Sequence, residues 1–228
     1  MPPDPSDSAP YPPLWSPAEL DRLPSLQRLA LAYAPVGNRD WLSGVLLLDT
    51  RLAGIVRGSR EPMLAQLRLA WWREGLAPAG PGQPIGDPLL ARLHTLNGPR
   101  QALADLVAGW EEMLGDAPLP DAAFLALADA RAAALAASAG GVAEPGVRLA
   151  RNWALVDIAS RVGDERERQE VFRLARSQDW SSAALPRSLR PVAVLHGVAR
   201  RMVRRDPILP GITPGDFLTA IRIGLAGR

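Results

Sequence analysis

The sequence predicts an all-α protein, and three observations carry that prediction. Apolar residues recur at spacings of three, four and seven along most of the chain, and no stretch alternates convincingly at period two. Pro or Gly punctuates most of the gaps between these periodic segments, as helix stop and start signals should. The composition is rich in Ala and Leu, 47% hydrophobic and 22% charged, which describes a globular chain built from strong helix formers. At 228 residues the chain is long enough for one good core. A single helical domain is therefore expected over 16–228, behind a Pro-rich extended arm at 1–15.

Each helix has a local reason. Ser16-Pro17-Ala18-Glu19 is a start signal: Ser as N-cap, Pro at the first helical position and Glu at the third. The helix it opens is expected to reach about Ala34, with Pro24 as a bend or interruption. Trp41, Leu42, Val45, Leu48, Leu52, Ile55 and Val56 recur at helical spacing over 39–56. Glu61-Pro62 opens the next helix, which carries Trp71 and Trp72 and ends before a loop over 78–88. Further helices are expected at 88–96, 99–115, 120–139, 145–162, 165–177, 189–205 and 214–226, the last opened by Thr213-Pro214-Gly215-Asp216 in the manner of the first.

Several function classes fall away. The net charge is +2, and all 26 basic residues are Arg, so a pI of 9.8 reflects guanidinium groups that barely deprotonate and gives no reason to expect nucleic acid. With no Cys, disulfides, thiolate metal sites and a cysteine nucleophile are excluded. His94 and His196 are the only histidines, too few for a histidine-rich metal site. The N-terminal residues lack the basic and apolar segments of a signal peptide, and no apolar run approaches the ~18 residues that span a bilayer, so a soluble cytoplasmic protein is expected. Phosphate-binding glycine loops, HExxH and GxSxG in a usable context are also missing.

What remains is carboxylates. Asp49 is the single acid between Trp41 and Val56 and falls near the buried face of its helix, as a paired core acid or as a ligand contact. Asp157 sits among Trp153, Leu155, Val156 and Ile158, with Arg161 at i+4 as its natural partner, so a structural ion pair stands against a catalytic role. Asp164 and Glu165 follow on the same face if the helix continues past Gly163, although the mixed charges of 164–170 mark a solvated helix start. Leu64, Leu67 and Trp71 share one face, which makes Trp71 a core residue. Trp72 lies one step around, above Arg68, where a cation–π contact of about 0.5–1 kcal/mol is available. The 187–205 segment combines Arg187, Arg190, Arg200, Arg201, Arg204 and Arg205 with Val192, Val194, Leu195, Val198, Met202 and Val203. It reads as a helix with an apolar core face and a basic solvent face, or as a peripheral contact on anionic lipid.

LLLDTRLAGIVRGSREPMLAQLRLAWWREGL, GWEEML and RNWALVDIASRVGDE occur in the order seen in the squalene/phytoene synthase family, and the tail from LPRSLRPVAVLHGVARR to FLTAIRIGLAGR resembles its short bacterial members. EPMLAQLRLAWWREGL is the most specific piece. The resemblance covers about 25–226 and implies an isoprenoid-synthase-like helical bundle with an apolar cavity. In active members, two DxxxD motifs on facing helices bind the magnesium ions that hold a prenyl diphosphate, because hard cations take oxygen ligands and i, i+4 spacing aims both carboxylates at one site.

This chain departs at both motifs. The pattern lays Ala53 and Arg57 on the first and Arg161 and Glu165 on the second, so one acid of four survives and two positions are arginine. A guanidinium cannot bind magnesium, although it can bind a phosphate directly. The resemblance therefore implies a non-catalytic relative without a cofactor, which binds an isoprenoid or lipid ligand or a protein partner; some relatives assist assembly of respiratory complex I. Trp71 and Trp72 would then pack the cavity wall, with Arg57 and Arg161 facing the diphosphate position. The alternative is an active magnesium-dependent head-to-head prenyltransferase, with Asp49 and Asp157 as catalytic candidates and Asp157, Asp164 and Glu165 as metal ligands.

Overall fold

Helix-start chemistry lays out the architecture. The computed structural model describes residues 14–59, 61–77, 86–137, 144–205 and 212–227, and over them the chain is helical with no strand. The predicted arm (beyond Leu14 and Trp15), most of the 78–88 loop and the last two residues of the predicted 120–139 helix lie outside these residues. Eleven α-helices follow in order: α1 Pro17–Leu20, α2 Ser25–Leu31, α3 Val36–Gly58, α4 Pro62–Leu76, α5 Pro88–Leu93, α6 Arg100–Glu111, α7 Asp121–Ala136, α8 Glu144–Ala159, α9 Glu165–Arg176, α10 Arg190–Val203 and α11 Pro214–Ala226. A 3-10 turn, Arg187–Leu189, leads into α10. No helix among the described residues is long and apolar enough to cross a membrane.

The Ser16–Glu19 and Thr213–Asp216 capping boxes both form. Pro24 interrupts the first predicted helix outright: α1 stops at Leu20, and Pro24 becomes the residue before α2. Asp87 caps α5 by accepting from the Leu89 and Leu90 amides, and Asp164 caps α9 by accepting from Glu167 N. Consecutive helices pack as neighbours, α6 on α7, α7 on α8 and α8 on α9, while α10 lies against α8, α11 and α2. One buried apolar cluster runs through them from Trp15 to Ile223.

The expectations for α4 are corrected here. In α4 the buried face is Ala65, Leu69, Trp72 and Leu76, whereas Leu64, Leu67 and Trp71 are exposed. Both stripes are apolar at helical spacing and lie one residue apart, so periodicity could not choose between them; packing of α4 on α6 chooses. Trp71 is 41% exposed and Trp72 only 2%, their rings meeting edge-on at 5.4 Å. No Arg68–Trp72 cation–π contact forms among the described residues; Arg92 over Trp15 and Arg131 over Trp153 take that role. In α10, Val192, Val194, Leu195, Val198, Met202 and Val203 are all buried among its neighbours, so this apolar face is core. Arg201 and Arg205 turn to the buried Asp216 of α11.

Candidate functional site

The 23-residue α3 is long enough to present different faces to different neighbours, and two cavities flank it. Asp49, Ala53 and Arg57 follow at i, i+4 and i+8 on one face. They line a cavity of about 200 Å³ together with Arg131 of α7 and Asp157 and Arg161 from the end of α8. Leu47, Arg51, Gly54 and Ile55 line the other, a trough of about 1030 Å³ shared with α4, in which Trp71 and Trp72 both stand. Thr50 touches both spaces. The single cavity that was expected to gather the tryptophans with Arg57 and Arg161 is thus two.

The smaller cavity is organised by one buried guanidinium. Arg131 Nη2 donates to Asp49 Oδ2 and to Asp157 Oδ2, both at 2.7 Å. Trp110 Nε1 donates to Asp49 Oδ1 at 2.9 Å, and the Arg131 guanidinium carbon lies 4.8 Å from the centre of the Trp153 ring. Arg161 completes the group by donating through Nε and Nη2 to the two Asp157 oxygens, each at 2.9 Å. Burial works to raise the Asp157 carboxyl, but the charges of Arg131 and Arg161 and their hydrogen bonds outweigh it and hold the group below its ordinary range. For Arg131 burial acts to lower the pKa, and the Asp49 and Asp157 charges reverse that, so the guanidinium stays charged.

Asp49, Arg131, Asp157 and Arg161 are therefore a formally neutral cluster of two acids and two bases in which every carboxylate oxygen already accepts a hydrogen bond. These residues do not fit magnesium. A hard cation on these oxygens would lie beside two guanidinium groups of like charge, and to displace Arg131 from the carboxylates would leave a buried guanidinium unpaired. Nor does the second predicted set of metal ligands assemble. The helix ends at Ala159 instead of running past Gly163, so Asp164 is spent as a cap and Glu165 pairs on the surface with Arg168 and Gln169. Glu165 does not line the cavity; Glu167 does, with its Oε1 accepting from Leu119 N. Among the described residues no group of three or more His, Asp or Glu side chains is placed to hold a metal.

Arg57 lies exposed at the cavity rim without an ion pair among the described residues. The residues missed in sequence are Arg131 and Trp110. Arg131 had a signal: it is the sole base in the Ala-rich α7, and a charge inside so apolar a helix needs partners on other helices. Comparison with family models, with curated proteins and with solved structures finds no match.

Proposed function

We propose that this chain is a non-catalytic, squalene/phytoene synthase-like helical protein that acts by binding a lipid or prenyl ligand or a protein partner. The observation that carries the reading is the Asp49–Arg131–Asp157–Arg161 cluster. Where the resemblance would put metal ions and a diphosphate, these side chains neutralise one another and leave no carboxylate free. Ionisation of an allylic diphosphate needs the opposite arrangement: cations held by acids beside the departing phosphates.

A second reading keeps one observation in its favour. Asp49 of α3 and Asp157 of α8 do converge, on the one Nη2 nitrogen of Arg131, as carboxylates on facing helices of an active synthase would. The experiment is incubation with magnesium and farnesyl or geranylgeranyl diphosphate, organic extraction and mass spectrometry, with diphosphate release followed in parallel. The expected outcome is neither hydrocarbon nor released diphosphate from folded protein. A condensed hydrocarbon that disappears in Asp157→Ala would establish a divergent synthase and end the binding reading.

A further inference from the structure

The trough on the other face of α3 is unlike the charged cavity. From α4, Leu64, Leu67 and Trp71 enter it 45%, 62% and 41% exposed, at i, i+3 and i+7, an apolar stripe about 10 Å long. Opposite them a Cβ on Gly54 would meet nothing within 4 Å, so α3 is notched there. The rim is cationic in excess. Arg92 is paired with Glu19 and Arg51 with Asp87, while Arg22 and Arg68 carry no ion pair among the described residues.

We propose that this trough docks an amphipathic helix of a partner protein, its apolar stripe on Leu64, Leu67 and Trp71 and its acidic flank against Arg22 and Arg68. A helix laid in an apolar groove anchors through its own residues at i, i+3 or i+4 and i+7, and Leu64, Leu67 and Trp71 offer those anchors an apolar wall two turns long. Trp and Arg are the residue types that contribute most at protein interfaces. Small-molecule pockets bury roughly 70–90% of a drug-sized ligand's surface, whereas here the stripe stands half open and continues outward to the exposed Met63. A second copy of this chain would bring one Arg-rich rim onto another, with like charges opposed. This inference rests on the binding reading above and takes its protein branch.

The test places the photo-crosslinker p-benzoylphenylalanine at Leu67 of the full chain in its native cells. The expected product is a discrete adduct whose cross-linked peptide has apolar residues at helical spacing and Asp or Glu beside them. A synthetic peptide of that segment should bind the purified full chain, about tenfold more weakly after Trp71→Ala. It should lose binding again in Arg22→Glu/Arg68→Glu and regain it when its acids are exchanged for Lys. Gly54→Leu, which fills the notch, should abolish the adduct with the fold intact. An adduct to lipid or to a second copy, no adduct, or a peptide indifferent to the arginine reversals overturns the proposal. A lipid adduct would leave the non-catalytic reading standing, whereas turnover of prenyl diphosphates would remove the reading on which the docking site rests, so the two failures are distinguishable.

Discussion

Arg131 shows how one residue sets both the stability and the chemistry of a site. Its side chain is 4% exposed, and each acid beside it is nearly as buried. Removal of a guanidinium from such a cluster leaves Asp49 and Asp157 facing each other without their common counter-charge. Arg131→Met is therefore expected to cost about 3–5 kcal/mol, the range for breaking a buried pair from one side. In a chain of this size that is a fall of about 6–20 °C in melting temperature. Adding Asp49→Asn and Asp157→Leu to Arg131→Met should restore most of the loss, since the three buried charges then leave together, Arg161, its side chain 36% exposed, turns to water, and Asn keeps an acceptor for Trp110. Urea unfolding of the two variants checks this; equal stability would mean that the cluster is not a cooperative unit. Half of this site was legible in the sequence. Asp49 and Asp157 stood out as acids in apolar surroundings, and the Asp157–Arg161 pair follows from i, i+4 spacing. The bridge could not be read, because Arg131 lies 82 residues from one acid and 26 from the other, and only the packing of α7 against α3 and α8 brings them together.

Among the elements, the helices were legible wherever a cap or a proline fixed an end, as at Ser16, Pro62, Asp164 and Thr213. Facing was harder. In α4 two apolar stripes competed, and the rotation of the helix depends on the surface of α6, which no local pattern encodes. Glycines report such facing directly. At Gly109 an added Cβ would lie 2.7 Å from the Ala130 Cβ and 3.3 Å from the Leu127 backbone, at the crossing of α6 and α7. At Gly54 the same Cβ meets open space. The one substitution, Gly→Ala, is thus expected to act with opposite sign at the two positions. Gly54→Ala should stabilise by up to about 1 kcal/mol through helix propensity. Gly109→Ala should destabilise by about 1–2 kcal/mol, because separating two backbones outweighs that gain. Thermal melts decide it, and a stabilised Gly109→Ala would mean that α6 and α7 are not in close contact there.

For the molecule as a whole, the buried titratable groups predict a two-stage response to acid. Burial of His196 on α10, aided by Arg200 and Arg148 and opposed by Asp179, pushes its pKa from 6.5 down to about 4. The unfolded chain takes up that proton first, so this part of the stability is complete above pH 6.5 and declines as the pH falls from 6.5 toward 4. The carboxylates act lower. At Glu19 the hydrogen bond from Arg92 holds the group near about 2, against an ordinary 4.5. At Asp216 burial works to raise the carboxyl, but hydrogen bonds from Arg205, Thr213 and Arg201 outweigh it and bring it from 3.8 to about 2. Folded pKa values below unfolded ones make these contributions complete above about pH 4.5 and lost as the pH falls toward 2. His196→Gln should therefore flatten the upper descent and leave the lower one. Asp216→Asn should weaken the hold of α11 on α10 at neutral pH, by about 1–2 kcal/mol for a lost cap and partly exposed ion pairs, and make the lower descent shallower. Urea midpoints measured from pH 7.5 to pH 3 separate the stages. An unchanged slope between pH 6.5 and 4 in His196→Gln would show that the imidazole is hydrated in solution, and that the segment after α9 packs on α10 more loosely than the stacking of Trp180 on His196 implies.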